Sequence, residues 1–139
     1  MKILVVEPGR APYEKEIAPS LAEMQAVVGG TIQAIYPFDE PIALICNDEA
    51  KLLGLPLNRA LYDSNGRIYD VIAGTFFLCN ASQDSSSFAS LDDDQIQRFK
   101  HRFRYPELFV RIGSKVVVIQ TEKSEKGEAL CQSMKLMPR

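Results

Sequence analysis

Asn47-Asp48-Glu49-Ala50-Lys51-Leu52-Leu53-Gly54-Leu55-Pro56-Leu57-Asn58-Arg59 gathers turn-formers, helix caps and polar side chains between two strongly apolar segments. Asn47 is expected to cap a short helix running to Leu53, with Asp48 and Glu49 near its positive end. Gly54 ends that helix, and Pro56, which has no N–H, prevents its resumption. Upstream, Thr31 to Tyr36 and Ile42 to Cys46 are both β-rich, and Pro37-Phe38-Asp39-Glu40-Pro41 joins them tightly enough for an antiparallel hairpin. Downstream, Asp63-Ser64-Asn65-Gly66 signals a turn, and Asn65-Gly66 favours the primed turns of hairpins. Val71 to Cys79 is the most apolar run and is expected as a central strand, with Gly74 marking a bulge or a close backbone approach.

The flanks fit the same plan. Lys2 to Glu7 is a β-branched strand stopped by Pro8-Gly9, and Arg10 to Glu16, with Pro12, is expected to wind over the surface. Pro19 suits a first helical residue; Leu21, Met24 and Val28 then share a face, with Ile17 just before them, and Gly29-Gly30 closes the helix. Ala81 to Ser90 is a Ser-rich loop. Ser90 and Asp93 resemble a capping box, with Asp92 and Asp94 adding favourable charge, for a helix apolar at Ile96, Phe99 and Phe103. Leu108 to Ile112 and Lys115 to Gln120 flank Gly113-Ser114 as another hairpin. The order predicts one α+β domain over 1–120, mainly antiparallel sheet with two main helices and one short helix. Residues 121–139 are expected as a loosely attached tail.

A chain of 139 residues suits one domain with a self-sufficient core. Net charge is −2, so no global field draws it to nucleic acid or a membrane surface. Cys46, Cys79 and Cys131 are odd in number and widely spaced, which fits a reducing compartment. The apolar start at Ile3 to Val6 is too short for a signal peptide, and no run approaches the roughly 20 residues that span a bilayer. The expectation is a soluble cytoplasmic protein with no membrane partner.

Asn58 and Arg59 lead the candidate ligand contacts, because the stiffened Leu55-Pro56-Leu57 turn could present an amide beside a guanidinium. That pair suits a phosphate, a carboxylate or a base edge. The alternative is that Asn58 closes a turn and Arg59 pairs with Asp63 or Asp70. Asn47 and Lys51 complete the candidate set. Asp48 and Glu49 read more cheaply as cap residues than as a metal or acid–base cluster. His101 is the sole histidine, in a basic helix end with Arg98, Lys100, Arg102 and Arg104 interleaved with Phe99, Phe103 and Tyr105. That segment is an alternative nucleic-acid patch, although Phe99 and Phe103 are spaced like core residues. Cys46 and Cys79 lie in apolar strands, where thiols are inert. No phosphate-loop, nucleophile-elbow or zinc pattern is present, so no catalytic residue, metal or cofactor is expected.

The chain resembles a family of short proteins. Met1 to Pro8 with Pro12-Tyr13, Val28-Gly29-Gly30, and Ile32-Gln33-Ala34-Ile35-Tyr36-Pro37 carry the likeness, as do Ala43 to Asn47 and Lys51-Leu52. It continues through Gly54 to Arg59, Ile72 to Phe77, Phe103 and Tyr105-Pro106-Glu107, covering roughly residues 1 to 118. The Cys79-Asn80-Ala81 segment and the Ser-rich loop depart from the family's usual Gly-containing stretch. The family is a domain of unknown function in phages, prophages and conjugative elements of gut Gram-positive bacteria. The resemblance implies an immunity-evasion or establishment role, since antirestriction and other transfer proteins accompany it. The expected partner is a host defence protein or a small nucleotide ligand. A homodimer would cover the strand edges left by two hairpins.

Overall fold

The computed structural model describes residues 1–81, 87–123 and 129–136, with side chains described up to residue 120. Its organising feature is three apolar runs lying side by side: β1 (Lys2–Val6), β4 (Ile42–Asn47) and β7 (Phe76–Ala81). They form the middle of an antiparallel sheet of order β2-β1-β7-β4-β3, where β2 is Tyr13–Glu16 and β3 is Ile32–Ile35. A two-residue strand, β8 (Phe88–Ala89), pairs with the end of β7.

Pairing register makes this a two-sided core. Leu4 lies opposite Leu78 and Leu78 opposite Leu44; one residue on, Val5, Phe77 and Ile45 align in the same way. Successive residues of a strand point to opposite faces, so the two rows feed different layers. Leu4, Leu44 and Leu78 pack beneath Ile96, Phe99 and Phe103 of helix α2 (Asp93–Arg102) and its cap. Ile3, Val5, Ala43, Ile45, Phe77 and Cys79 pack with Val28 of helix α1 (Leu21–Val28) and with Ile17. Coverage on both faces explains why β4 is buried at all six positions instead of alternating. The α2 layer is extended by Leu61 and Ile72, from a hairpin of β5 (Leu57–Tyr62) and β6 (Ile68–Ala73).

Both helices start later than expected. Ser20, not Pro19, closes the first turn of α1: its hydroxyl accepts from Glu23 N–H at 3.2 Å. Gly29, at φ 77°, returns its N–H to Gln25 O and ends the helix. Leu21, assigned to the apolar face, is exposed, whereas Val28 is buried. For α2 the cap is Asp92, in a reciprocal box with Gln95 at 2.8 and 2.9 Å. Ser90 is taken elsewhere; its hydroxyl accepts from Lys2 N–H at the edge of β1.

The expected strand from Val71 to Cys79 is broken at Gly74 into β6 and β7, which belong to different sheets. Gly74 has φ 75° and donates its N–H to Pro56 O at 2.7 Å. A Cβ there would stand 3.0 Å from Leu55 Cδ1, so the corner needs glycine for both its angle and its space. The short helix expected over Asn47 to Leu53 is a run of turns. One α-type bond, Leu53 N–H to Glu49 O, is flanked by three-residue bonds from Ala50 to Asn47 and from Gly54 to Lys51. Leu52 and Leu53 are exposed, so no packed face offsets the cost of nucleating so short a helix.

Tyr13–Glu16, expected to wind over the surface, is an exposed edge strand paired with β1. The β3–β4 hairpin is as expected. The β5–β6 connection is longer than a primed two-residue turn. Asp63 N–H bonds Arg67 O, the Asp63 carboxylate accepts from Asn65 and Arg67, and Gly66 rather than Asn65 takes positive φ.

At the far end, β9 (Glu107–Ile112) and β10 (Lys115–Lys123) form the hairpin around Gly113-Ser114, and β11 (Ala129–Leu136) pairs along β10. The boundary expected at residue 120 therefore falls inside a strand, and part of the stretch expected as a tail is β11. Residues 124–128 and 137–139 of that stretch, and residues 82–86 of the Ser-rich loop, lie outside the described residues. Val118 and Phe109 pack against Ala60, Ile68 and Val71, joining this sheet to the β5–β6 hairpin.

Phe76 is fully buried and meets Phe103 edge-on at 5.6 Å. Phe76→Ala is expected to cost about 3–5 kcal/mol in urea unfolding. Leu52→Ala, at a residue 89% exposed, should stay within about 0.5 kcal/mol.

Candidate functional site

Asn58 and Arg59 are not on a turn. Both sit within β5 and are buried, at 0% and 1% exposure. The Asn58 amide donates to Val6 O at 2.9 Å and Gly74 O at 2.8 Å, clamping the end of β1 to the glycine corner. Its Oδ1 accepts from Arg59 Nη1 at 2.8 Å. Arg59 Nη2 donates to Arg10 O at 2.7 Å and Phe103 O at 2.9 Å. Its partners are thus neutral oxygens, and Nε is buried with none. Neither Asp63 nor Asp70 pairs with it: Asp63 closes the β5–β6 loop and Asp70 holds Lys51. Burial pushes the Arg59 pKa down to about 10, with the Glu107 charge acting the other way. The guanidinium remains a cation at neutral pH.

Glu107 is the residue that sequence reasoning left out of the site. It is 7% exposed at the start of β9. Its Oε1 accepts from Ala60 N–H at 2.7 Å, and its Oε2 accepts from Tyr62 Oη at 3.0 Å and Gln120 Nε2 at 3.1 Å. One carboxylate thereby ties β9 and β10 to β5. Burial, then the Glu107 charge, raises the Tyr62 pKa, so the phenol stays protonated as a donor. A lone acidic residue opening an apolar strand after Tyr105-Pro106 was the available signal.

The end of α2 closes the site. Phe103 N–H bonds Phe99 O as the helix ends, and Arg104 Nη1 reaches back to His101 O at 2.6 Å. The Arg104 guanidinium lies 4.5 Å from the Tyr105 ring centroid, and that of Arg102 lies 4.8 Å from the Phe38 ring. Arg59, Arg102 and Arg104 are among the residues that line a cavity of about 280 Å³, together with Tyr62, Glu107 and Gln120.

The remaining expected contacts are dispersed. Arg98 makes a two-pronged pair with Glu40 at 2.7 and 2.9 Å and a third bond to Asp94, so its charge is internally matched. The Arg98 hydrogen bonds hold the Glu40 carboxyl below its ordinary pKa. Lys100 is half-buried and His101 exposed on the same helix. Asn47 is 5% exposed and turns inward: Oδ1 accepts from Glu49 N–H at 2.8 Å, while Nδ2 donates to Val28 O at 3.4 Å. Lys51 pairs with Asp70 at 3.1 Å at the surface. Asn47 and Lys51 border a second cavity of about 170 Å³. The four expected ligand residues therefore do not converge; Arg59 alone lines the cleft at the end of α2. Burial raises both buried thiols, Cys79 to about 12, leaving neither as a thiolate at neutral pH. Among the described residues, no group of three or more His, Cys, Asp or Glu is placed to hold a metal, and no helix is long and apolar enough to cross a membrane.

Fold and cleft together define a small α+β domain with a cleft at a helix end that three arginines line. The chain belongs to the DUF3846 family, a domain of unknown function, whose model matches residues 1–104. That span contains all three arginines of the cleft and stops before Glu107 and Gln120. No curated protein and no solved structure matches the chain.

Asn58→Ala would strand Val6 O, Gly74 O and one Arg59 N–H, so urea unfolding should show a loss of about 1–3 kcal/mol for each group left unmet. Lys51→Ala removes only an exposed pair and should cost less than about 1 kcal/mol.

Proposed function

We propose that the protein is a non-catalytic accessory factor of a phage or other mobile element, acting in the cytoplasm of the bacterial host. In this reading it binds and neutralises a host defence factor or sequesters that factor's nucleotide signal. The observation that carries the reading is the buried guanidinium of Arg59, whose partners are neutral oxygens and whose Nε has none. It lines a cleft with Arg102 and Arg104, opposite the single carboxylate of Glu107. A buried charge without a contacting counter-charge is costly, and an anion held in the cleft offsets that cost through space without touching the guanidinium. This favours the nucleotide arm over capture of a protein. The resemblance of the chain to phage and conjugative-element proteins supplies the biological setting.

The second reading, an accessory nucleic-acid binder using Arg98, Lys100, Arg102 and Arg104, is favoured by the grouping of these residues on and just beyond α2. It is weakened by the matching of Arg98 with Glu40 and Asp94. Binding of that kind would fall steeply with salt through counterion release.

Native mass spectrometry of the protein purified from a bacterial host is expected to show a small anion that denaturation releases. Arg104→Ala, an exposed position, should come out bare. A bare wild-type chain, with no thermal stabilisation by millimolar phosphate, would contradict the anion-capture reading.

A further inference from the structure

β9 is the outer strand of the β11-β10-β9 sheet, and among the described residues no strand pairs with its other edge. Leu108, Val110 and Ile112 alternate along it and so share one face; they are 56%, 41% and 59% exposed. Phe109, on the opposite face, packs with Ala60, Ile68, Val71 and Val118. Leu108 and Val110 lie across from Ile119 and Val117 of β10, which widens the apolar row. The hairpin loop has two residues, so its flanking pair, Ile112 and Lys115, is hydrogen-bonded. Backbone groups then alternate: those of Leu108, Val110 and Ile112 face β10, and those of Phe109 and Arg111 face outward.

Open edges are ordinarily blunted by charge, shortness, proline or a bulge. β2 uses charge, with Glu14, Lys15 and Glu16 exposed along it. β3 is short, at four residues. The β5–β6 and β10–β11 ladders are broken by register shifts. β9 has six residues in unbroken register with β10, no proline, and one charge, Arg111, beyond the internally bonded Glu107. Such an edge is a template for a further strand.

The strand's own sequence decides what fits. Antiparallel pairing with β9 of a second copy, about a two-fold axis at Val110, sets Leu108 against Ile112, Val110 against Val110 and Phe109 against Arg111. Each exposed apolar side chain of the row then meets another, and Arg111 lies across from an aromatic ring. Moving the axis to Arg111 opposes like charges. Moving it to Phe109 leaves Ile112 opposite Pro106, beyond the strand. The Val110 axis satisfies both the apolar row and the charge.

We infer that β9 pairs with β9 of a second copy of this chain, antiparallel and two-fold about Val110, making one continuous sheet from two. A contact confined to one six-residue strand sits at the small end of specific interfaces, below about 1,200 Å². The dimer is therefore expected to form in the micromolar range.

Sedimentation velocity of the full chain across the micromolar range should show a reversible shift from monomer to dimer. Val110→Lys and Val110→Glu should each stay monomeric, with melting temperatures near the wild-type value, because position 110 faces its own copy and like charges oppose there. An equimolar mixture of the two variants should dimerise, because the facing charges then have opposite sign. Hydrogen exchange of the wild type needs no variant: the Phe109 and Arg111 amides should slow as concentration rises, while those of β2 should not.

A wild-type chain that stays monomeric throughout overturns the proposal and leaves the edge to an extended segment of another protein. Dimers that both variants form as readily as the wild type, or slowing confined to another edge strand, overturn the choice of β9. Folded variants whose mixture stays monomeric overturn the Val110 axis.

Discussion

One buried cation holds the architecture around the cleft. Arg59 on β5 reaches Arg10 O in the loop after β1 and Phe103 O at the end of α2, while Asn58 beside it bonds Val6 O and Gly74 O. Four segments remote in sequence thus meet at two adjacent side chains. Backbone carbonyls that the sheet and the helix leave unused find their donors there, which buried polar groups require. The arrangement orders the cleft's deep wall before any ligand arrives. It also leaves a positive charge in a dry setting, balanced at a distance by Glu107 and not by a contact pair.

Glu107 performs the complementary task. The β5–β6 hairpin and the β9–β10–β11 sheet belong to separate hydrogen-bonded ladders, and apolar contact through Ala60, Val71 and Val118 joins them. A carboxylate accepting from one backbone N–H and two side chains adds direction to that packing. Arg59 and Glu107 together fix how the end of α2 faces β5 and β10, and the cleft is the space between them.

Much of the frame was legible in the residues. The strands of the central sheet carry β-branched runs, α2 shows Ile96, Phe99 and Phe103 at helical spacing, and Gly113-Ser114 marks its hairpin. Local errors share a cause: a neighbour distant in sequence used the residue. Ser90 reads as a cap until Lys2 N–H takes its hydroxyl. Gly74 reads as a bulge in one strand because nothing local announces that Leu55 and Pro56 pack at that corner. Asn58 and Arg59 were singled out as a pair, but as exposed turn residues; their burial follows from partners up to 52 positions away. Asn47 and Lys51 lie on the same stretch of sequence and diverge once the chain turns. Glu107 was missed because a single acidic residue at a strand start carries no periodic signal.

The central claim is that an anion occupies the cleft beside Arg59. Its most direct test is a ¹⁵N-resolved spectrum of the arginine Nε–Hε groups during titration with inorganic phosphate. Arg59 should give a distinct, slowly exchanging resonance, because its Nε is sealed from water. The account predicts that this resonance shifts in a saturable manner together with those of Arg102 and Arg104, while Arg98, held by Glu40 and Asp94, stays in place. An Arg59 resonance that remains fixed while the surface arginines move, or that does not respond at all, would contradict it.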